Sequence, residues 1–468
     1  MHYSVVNYKK LNDHDDWRWD GEFLCFEPRH NKSYVYKIIG DILKFSQYGI
    51  SIDMNEEGNG NRIYRMNEIS NMFCDRLVNK YADISKEQAK KFKLTDKDVL
   101  FNRTNSQVFV GRTGIFKKFS DDEIVFASYL IRVRPNEDEI LPEYLTAFLN
   151  TKYGVQDAKR RARISINQSN INAEELKRVK IPILPMILQK KVRDIFNHSF
   201  SLVNKSESLY SQAEQLLSSE LNLLNWKPKH RPSFVKNYSD TESAGRYDAE
   251  YFQPMYEEIE SAIKGYCGGY SLIKDEFKQN KSTFKIYGQK EYKYVEIGSV
   301  NVSNGEIIPN KVRGLELPAN AKRVFKKGDV IISKVRTYRG AITIVEKDGY
   351  VGSGAFTVLR ENGQINKETL FAFLHSKPLL VWSLKPNTGT SYPVIIDEDI
   401  LNMPIPILPV AKQKKIAETV NESFCNREFS KRLLDIAKRG VEMAIEKDEK
   451  TAEKWIDEEV KKTGVKLD

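Results

Sequence analysis

The sequence repeats a block of apolar residues and prolines at two places along the chain. Residues 181–185 read Ile-Pro-Ile-Leu-Pro and recur at 405–409, and the Gln-Lys-Lys at 189–191 recurs at 413–415. Both pairs are separated by 224 residues, so the gap inside the block is preserved as well. Self-similarity on this scale constrains architecture more strongly than any local pattern. The chain is therefore predicted to be a tandem duplication.

Each block predicts the same local structure. Proline lacks an N–H group, fixes φ and pushes the preceding residue toward extended geometry, and it is well tolerated at the first position of a helix. Apolar residues then recur at helical spacing over 186–224, and again from about 411 to 460. We predict a domain, an extended exit and a long helix in each half. The block itself is interpreted as a structural hinge without chemistry.

Further segments match between the two halves. Residues 18–23, Arg-Trp-Asp-Gly-Glu-Phe, resemble residues 246–251, Arg-Tyr-Asp-Ala-Glu-Tyr, and the strand-like residues 94–103 resemble 325–334. The offsets drift from 231 to 224 along the chain, which indicates loop insertions within one shared fold. The many short alternating segments favour a mixed α/β (α+β) fold class.

These repeats predict four parts. They are a first domain at 1–185, a first long helix at 186–226, a second domain at 227–409 and a second long helix at 410–468. A long helix with one apolar face must bury that face. Two such helices in one chain are predicted to pair as an antiparallel coiled coil.

Charge and cysteine content narrow the class of partner. The chain has 74 Lys and Arg against 64 Asp and Glu, a net charge of +10, with basic runs at 159–180 and 322–339. Such a surplus favours a polyanion, nucleic acid first. Four separated cysteines without a CxxC pair argue against a disulfide framework and a zinc site. With no signal-peptide h-region and no bilayer-length apolar run, a cytoplasmic location is expected.

Taken together, these segments resemble the specificity (S) subunit of type I restriction–modification systems. The resemblance covers nearly the whole chain, and its residues are 246–252, the turn at 48–51, both repeated blocks and 209–226. It implies two target-recognition domains that read a bipartite DNA site without catalysing a reaction. Because the loops of the two halves differ, the half-sites are expected to differ, and the paired helices are expected to set their spacing.

The resemblance also implies partners. They are methyltransferase (modification) subunits, two by the symmetry of the duplication, and restriction/translocase subunits. S-adenosylmethionine, ATP and magnesium are expected on those subunits, and no cofactor or metal is expected on this chain.

Four polar loops carry the candidate DNA contacts, two in each half. Arg can bind guanine through two hydrogen bonds, Asn and Gln can bind adenine, and Ser and Thr can hold phosphates. The candidates are Arg103, Asn105, Gln107, Arg112, Arg160, Arg161, Arg163, Ser165, Gln168, Lys334, Arg336, Tyr338, Arg339, Lys385, Asn387, Thr388, Thr390, Ser391 and Tyr392. Solvated basic loops are the ordinary alternative, but the matching positions in both halves favour DNA contact.

The sequence contains no recognisable active site. A Walker A motif, the Asn-Pro-Pro-aromatic and Asp-Pro-Pro-Tyr motifs of methyltransferases, and GxGxxG do not occur. Asp98 and Asp329 are interpreted as turn residues before strands, and the two Arg-aromatic-Asp motifs as structural ion pairs. Two alternatives stay open: a stand-alone DNA endonuclease, and a non-DNA coiled-coil scaffold or orphan modulator of another system's specificity.

Overall fold

A computed structural model describes residues 21–24, 31–76, 78–165, 168–302, 305–387 and 392–465. The chain forms two compact units: residues 1–203 together with 427–468, and residues 204–426. Short strands and helices alternate along both units. The predicted mixed α/β fold class is confirmed.

The first unit contains the elements of the first half of the chain. They are α1 (Gly21–Leu24), β1 (Tyr36–Ile38), β2 (Leu43–Tyr48), β3 (Asn61–Tyr64), β4 (Ile69–Ser70), β5 (Phe73–Cys74), β6 (Tyr81–Ala82), α2 (Lys86–Phe92), β7 (Val99–Asn102), β8 (Thr104–Asn105), β9 (Thr113–Ile115), β10 (Val125–Phe126), β11 (Leu130–Pro135), α3 (Pro142–Asn150), α4 (Lys152–Arg160), β12 (Arg163–Ser165), β13 (Gln168–Asn170), α5 (Ala173–Lys177) and β14 (Lys180–Pro182).

A six-stranded sheet in the order β2-β11-β7-β9-β5-β4 forms the centre of the first unit. Strand β7 is buried along its whole length, as its sequence Val-Leu-Phe-Asn suggests, and it pairs antiparallel with β11 and β9. Two separate three-stranded sheets have the orders β10-β3-β6 and β12-β13-β8. Helices α3 and α4 supply buried residues to the same core as this sheet.

The second unit contains the elements of the second half. Helix α6 (Met186–Glu220) begins in the first unit and ends in the second. It is followed by α7 (Tyr238–Ala244), α8 (Pro254–Lys264), β15 (Tyr270–Leu272), α9 (Ile273–Glu276), β16 (Phe277–Gln279), β17 (Glu291–Val295), β18 (Asn310–Arg313), β19 (Ala321–Phe325), β20 (Val330–Ser333), β21 (Ile342–Ile344), β22 (Tyr350–Ser353), β23 (Phe356–Glu361), α10 (Lys367–His375), α11 (Lys377–Trp382), α12 (Asp397–Leu401) and β24 (Pro404–Pro406). Helix α13 (Val410–Glu446) then returns to the first unit, where α14 (Glu449–Lys462) follows. The larger sheets of the second unit have the orders β16-β23-β20-β21 and β18-β17-β22-β19.

The repeated proline block forms the closing strand of each domain. Strand β14 pairs antiparallel with β1, and β24 pairs antiparallel with β15. Ile181 and Ile405, at corresponding places in the block, are completely buried. The predicted extended exit is therefore confirmed, with the added role of pairing the last strand of a domain to its first.

The repeated glutamine ties each long helix to its domain. Gln189 and Gln413 are buried in the first turn of α6 and α13. Each side chain accepts one hydrogen bond from a backbone N–H and donates to two backbone carbonyls. The partners of Gln189 are Leu141 N, Leu184 O and Glu139 O, and those of Gln413 are Asn366 N, Leu408 O and Gln364 O, at 2.9–3.2 Å.

The ends of both long helices differ from prediction. Helix α6 ends at Glu220 rather than near 226, because Asn222 adopts a left-handed φ of 55° and Leu223 N donates back to Ser218 O. The segment predicted as one helix over 410–468 forms α13 and α14. Asp448 separates them: its backbone is extended, and its side chain caps α14 by accepting from Thr451 N.

The long helices pair in opposite directions, which confirms the predicted antiparallel arrangement. In the first unit the start of α6 shares a core with the end of α13, and the Ser199 hydroxyl donates to Ser430 O over 3.3 Å. In the second unit the end of α6 shares a core with the start of α13, and Ser206 donates to Ser423 O over 2.8 Å. None of the helices in the described part of the chain is long and apolar enough to cross a membrane.

Candidate nucleic-acid interface

The two predicted loops of the first half meet in one small antiparallel sheet. Strand β13 pairs with β12 on one side and with β8 on the other, so loops 103–112 and 160–168 adjoin. Ser165 lies opposite Gln168, and Arg163 lies opposite Asn170. Directly opposed side chains share a face of the sheet. Arg163, Ser165 and Gln168 therefore form one exposed polar face.

Arg103 is held inside its domain. Its guanidinium donates to Ser128 O (3.2 Å) and to Asn170 Oδ1 (3.4 Å), and it lies 4.8 Å from the centre of the Tyr48 ring. The Tyr48 hydroxyl in turn accepts from Ala173 N over 2.7 Å. The Tyr48 turn, one of the segments that carry the family resemblance, thus positions a candidate residue.

The arginines of the second loop differ in accessibility. Arg160 donates to the buried Asp157 carboxylate over 2.6 Å, and Arg161, only 5% exposed, lies near both Asp157 (3.4 Å) and Glu175 (3.6 Å). Burial lowers the pKa of Arg161, and the negative charge of Asp157 opposes that shift. These two arginines hold the end of α4 in the domain. Arg163 is the exposed cation of this loop.

The remaining candidates of the first half lie around a turn after β8. Gln107 is exposed, whereas Asn105 and Arg112 are half-buried. The Asn105 side chain accepts from Ser106 N over 2.8 Å, and the Arg112 guanidinium stacks 4.1 Å from the Phe109 ring centre. Their placement beside the small sheet is compatible with a common surface.

Lys159 is a cation of this region that the candidate set omitted. It donates to Val108 O over 3.0 Å, so it ties α4 to the turn after β8. Burial, and then the charge of Arg112, lower the pKa of Lys159. The sequence could have identified Lys159 as a candidate, since it is the first residue of the basic run at 159–180.

The two predicted loops of the second half also meet. Val335 bridges Val394, and Arg336 N donates to Pro393 O over 2.8 Å. Tyr392 is 64% exposed, and the Arg336 guanidinium lies 4.4 Å from its ring centre. Arg336 has a φ of 51°, a left-handed conformation that non-glycine residues seldom adopt. The result is a stack of the half-buried Arg336 on the exposed Tyr392, on a constrained backbone.

The other candidates flank this stack. The Lys334 ammonium lies 3.3 Å from Asp397, Tyr338 is half-buried, and the exposed Arg339 lies 5.8 Å from the Tyr338 ring centre. Lys385 forms an ion pair with Glu260.

Asn387 closes the base of the second loop. Its side chain accepts from Val394 N over 3.0 Å. Thr388, Thr390 and Ser391 lie outside the described residues.

The acidic residues of the repeated motifs are structural. Asp98 accepts two hydrogen bonds from Arg134, and Asp329 accepts two from Arg360. Each carboxylate also accepts a hydrogen bond from the backbone N–H three residues earlier in its turn. Arg246 pairs with Asp248 over 2.7 Å. The interpretation as turn and ion-pair chemistry is confirmed for these residues, while Asp20 lies outside the described part.

The donor set suits recognition of an anion and of base edges. Exposed Arg163, Ser165 and Gln168 adjoin in the first half, and half-buried Arg336 stacks on exposed Tyr392 in the second. Side chains of these types donate to phosphates or bind base edges. Within the described ranges, His, Cys, Asp and Glu side chains form no cluster that would hold a metal ion.

Comparison with known proteins gives one consistent relationship. The family described as type I restriction modification DNA specificity domain matches residues 31–208 and 269–434. The putative type I restriction enzyme MjaX specificity subunit of Methanocaldococcus jannaschii is 25% identical over 383 residues, which cover 81% of this chain and 84% of that protein. The EcoKI specificity subunit of Escherichia coli is 26% identical over 204 residues, 42% of this chain and 43% of that protein.

Solved structures of S subunits also align with the chain. The type I restriction–modification S subunit from M. genitalium aligns with 91% of this chain and 97% of its own, at a TM-score of 0.35 and 11% identity. The HsdS subunit from Thermoanaerobacter tengcongensis aligns with 90% and 98%, at a TM-score of 0.29 and 12% identity.

The family match extends over both halves of the duplication and over most of the chain. The chain therefore belongs to the type I restriction–modification DNA specificity family.

Proposed function

We propose that this chain is a non-catalytic specificity subunit that reads a bipartite, asymmetric DNA site and positions modification and restriction subunits on it. The observation that carries the proposal is the paired-loop surface of each half. Loops far apart in sequence are joined by strand β13 in the first half and by the Val335–Val394 bridge in the second. Each domain thus offers one surface to one half-site.

The asymmetry of the target follows from the chemistry of the two surfaces. The first presents Arg163, Ser165 and Gln168 on one face of a small sheet, whereas the second presents the stacked Arg336 and Tyr392. Direct readout depends on which donors and acceptors meet each base edge. Two surfaces with different donors are expected to select different half-sites.

The exposed part of the repeat supports two equivalent modification subunits. Lys190 and Lys414 occupy the same place in the two long helices and are exposed. Neither forms an ion pair with another residue in the described part of the chain. An exposed side chain retained in both copies without an internal partner fits two contacts with two copies of one protein. Those subunits and the restriction/translocase subunits would carry S-adenosylmethionine, ATP and magnesium.

Co-expression with the modification subunit encoded beside this chain tests the proposal. Methyladenine would be mapped by single-molecule sequencing, with a strain that lacks this chain as the control. We expect a new motif of two short half-sites separated by unspecified bases. A complex that forms without producing such a motif would contradict the proposal and favour the scaffold or orphan-modulator alternatives.

The stand-alone endonuclease alternative has its own test. The purified chain would be incubated with magnesium and plasmid DNA that carries the mapped motif. We expect no cleavage, because the sequence contains no recognisable nuclease site. Magnesium-dependent cleavage by the chain alone would establish the alternative.

A further inference from the structure

We infer that Arg246, in the Arg-Tyr-Asp-Ala-Glu-Tyr motif, is a positioning residue that holds residues 385–387, the base of the second candidate loop, beside the Arg336–Tyr392 stack for readout of one DNA half-site. The inference rests on the proposed function and extends it to a residue outside the candidate loops. Its guanidinium donates to Pro386 O (3.3 Å) and Asn387 O (3.2 Å), two consecutive carbonyls at the base of that loop.

The motif orients Arg246 by two contacts. The Arg246 Nε donates to Asp248 over 2.7 Å, and the guanidinium lies 4.7 Å from the Tyr251 ring centre. Asp248 also accepts from Tyr251 N over 3.0 Å, which fixes the carboxylate and the ring together. A planar guanidinium presents several donors in a fixed fork. Arg246 can therefore bind Asp248 and both carbonyls at once.

The same motif anchors the first cation of the loop. The Lys385 ammonium lies 5.0 Å from the centre of the Tyr251 ring, the same ring that Arg246 contacts. Lys385 also pairs with Glu260, whose carboxylate accepts a hydrogen bond from Trp382 Nε1 over 3.0 Å. The base of the loop is thus held through the Lys385 side chain and through the carbonyl groups of Pro386 and Asn387. The Asn387 side chain, by accepting from Val394 N, joins the two ends of the loop next to the Arg336–Tyr392 stack.

The first half contains an independent instance of this arrangement. Phe23 stands at the place in its motif that Tyr251 occupies 228 residues later, and Arg160 corresponds to Lys385 at an offset of 225. The Arg160 guanidinium lies 4.7 Å from the Phe23 ring centre. In both halves an aromatic residue of the N-terminal motif contacts the cation at the start of the second candidate loop. The duplication has kept the contact although both residue types changed.

A positioning residue affects discrimination more than general affinity. Arg246 is half-buried and its donors are engaged, so its loss removes little charge from the DNA-facing surface. A base contact made by bidentate hydrogen bonds discriminates by roughly 10- to 100-fold. A loop whose base is released would lose part of that discrimination.

The test is a methylation map of the complete complex with Arg246→Ala. We expect one half-site of the motif to become degenerate, with preference at one or more of its positions reduced by roughly tenfold, while the other half-site stays unchanged. The Arg163→Gln variant, in the first domain, identifies the halves because it should relax the opposite one. Arg313→Ala is the matched control, since it removes a cation from an exposed site of the same unit, 3.9 Å from Glu316, and should leave the motif unchanged.

The outcomes separate the inference from the proposed function. If the unaltered chain directs no bipartite methylation, the proposed function fails. If it does and Arg246→Ala keeps both half-sites intact, or weakens both equally while remaining folded, the inference is wrong. Should Arg246→Ala not fold, Arg246→Lys decides, because it retains the pair with Asp248 but lacks the fork for two carbonyls. A relaxed half-site then supports the inference, and an intact motif overturns it.

Discussion

At the scale of single residues, Asp98 is a carboxylate with a structural role. Its carboxylate is completely buried and pairs with Arg134 and with Arg132, which is itself 4% exposed. Removing one member of a buried ion pair leaves an uncompensated charge, which costs about 3–5 kcal/mol. Asp98→Ala should therefore lower the free energy of unfolding by about that amount, measured by urea denaturation.

The control for this prediction is Asp121→Ala. The Asp121 carboxylate is fully exposed beside Lys118, and exposed ion pairs contribute little to stability. An Asp98→Ala variant as stable as the Asp121→Ala variant would show that the pair with Arg132 does not stabilise the fold.

Glu446 gives a prediction of pH dependence at the same scale. Arg439 donates to both of its carboxylate oxygens at 2.9 Å, and Lys152 lies 2.6 Å away. These contacts, Arg439 first, lower the pKa of Glu446 from 4.5 to about 2. A folded-state pKa below the unfolded value means that the stabilisation is complete above pH 4.5 and is lost as the pH falls through about 2.

Glu446→Gln should therefore destabilise the protein by about 1 kcal/mol at neutral pH, the low end for a charged hydrogen bond, because Arg439 and Lys152 are partly exposed. The difference from the unaltered protein should shrink between pH 4.5 and 2. Urea midpoints measured across that range check this. A difference that stays constant with pH would be inconsistent with the lowered pKa.

Sequence pattern identified residue types at the candidate site but not their accessibility. Arg160, Arg161 and Arg163 are equivalent as a basic run, yet Asp157 engages the first two and leaves Arg163 exposed. The pairs of Asp157 with Arg160 and Arg161 have local i,i+3 and i,i+4 spacing at the end of α4. The burial of Arg161 against Glu175 on α5 depends on tertiary packing, which the basic run does not reveal. By contrast, Asp98 and Asp329 were interpreted correctly because turn chemistry is local.

At the scale of elements, the repeated Gln-Lys-Lys contains a buried structural glutamine followed directly by an exposed lysine. Gln189 and Gln413 are buried and each bind three backbone groups, of which Leu141 N, Leu184 O and Leu408 O are buried. An unpaired buried polar group costs about 1–3 kcal/mol. Gln189→Ala and Gln413→Ala should each lower the free energy of unfolding by about 2–3 kcal/mol, measured by chemical denaturation.

The neighbouring lysines provide matched controls for these variants. Lys190→Ala and Lys414→Ala should change stability by less than about 0.5 kcal/mol, as is usual for surface positions. They should instead weaken association with the modification subunit, measured by co-purification. Equal stability losses at the glutamine and lysine positions would refute this division of roles.

Helix boundaries were less predictable than the helices themselves. Apolar residues continue at helical spacing beyond Glu220 and beyond Glu446, so periodicity alone extended both helices. The actual ends depend on a left-handed Asn222 and on the capping Asp448. The Asp448 cap, with Thr451 three residues later, is a local signal that outranks periodicity. Asn222 offers a weaker signal, because asparagine adopts that conformation only in some contexts.

At the scale of the whole molecule, the duplication predicted two domains, two long helices and their antiparallel pairing. It did not predict which strands pair. Strand β13 joins β8 from more than 60 residues earlier, and such long-range pairing leaves no periodic trace in the sequence. The positions of the four loops were therefore predictable from internal repetition, while their convergence into one surface in each half was not.

The net charge of +10 leads to a prediction for the intact complex with DNA. Each phosphate neutralised by a cation adds about 0.9 to the slope of log affinity against log salt. Arg163 is exposed on the small sheet of the first half, so Arg163→Gln should reduce that slope by about 1. Fluorescence anisotropy with a DNA duplex that carries the mapped motif, titrated between low and physiological salt, measures it.

Lys450→Gln supplies the comparison for this variant, because it removes the same charge from an exposed site on α14, away from every candidate loop in the chain order. Its slope should equal that of the unaltered complex. If both variants reduce the slope equally, the effect of Arg163 is one of net charge and not of a phosphate contact. If Arg163→Gln alone reduces it, and with it the preference at one half-site, the sheet of the first domain lies on the DNA backbone beside the bases it reads.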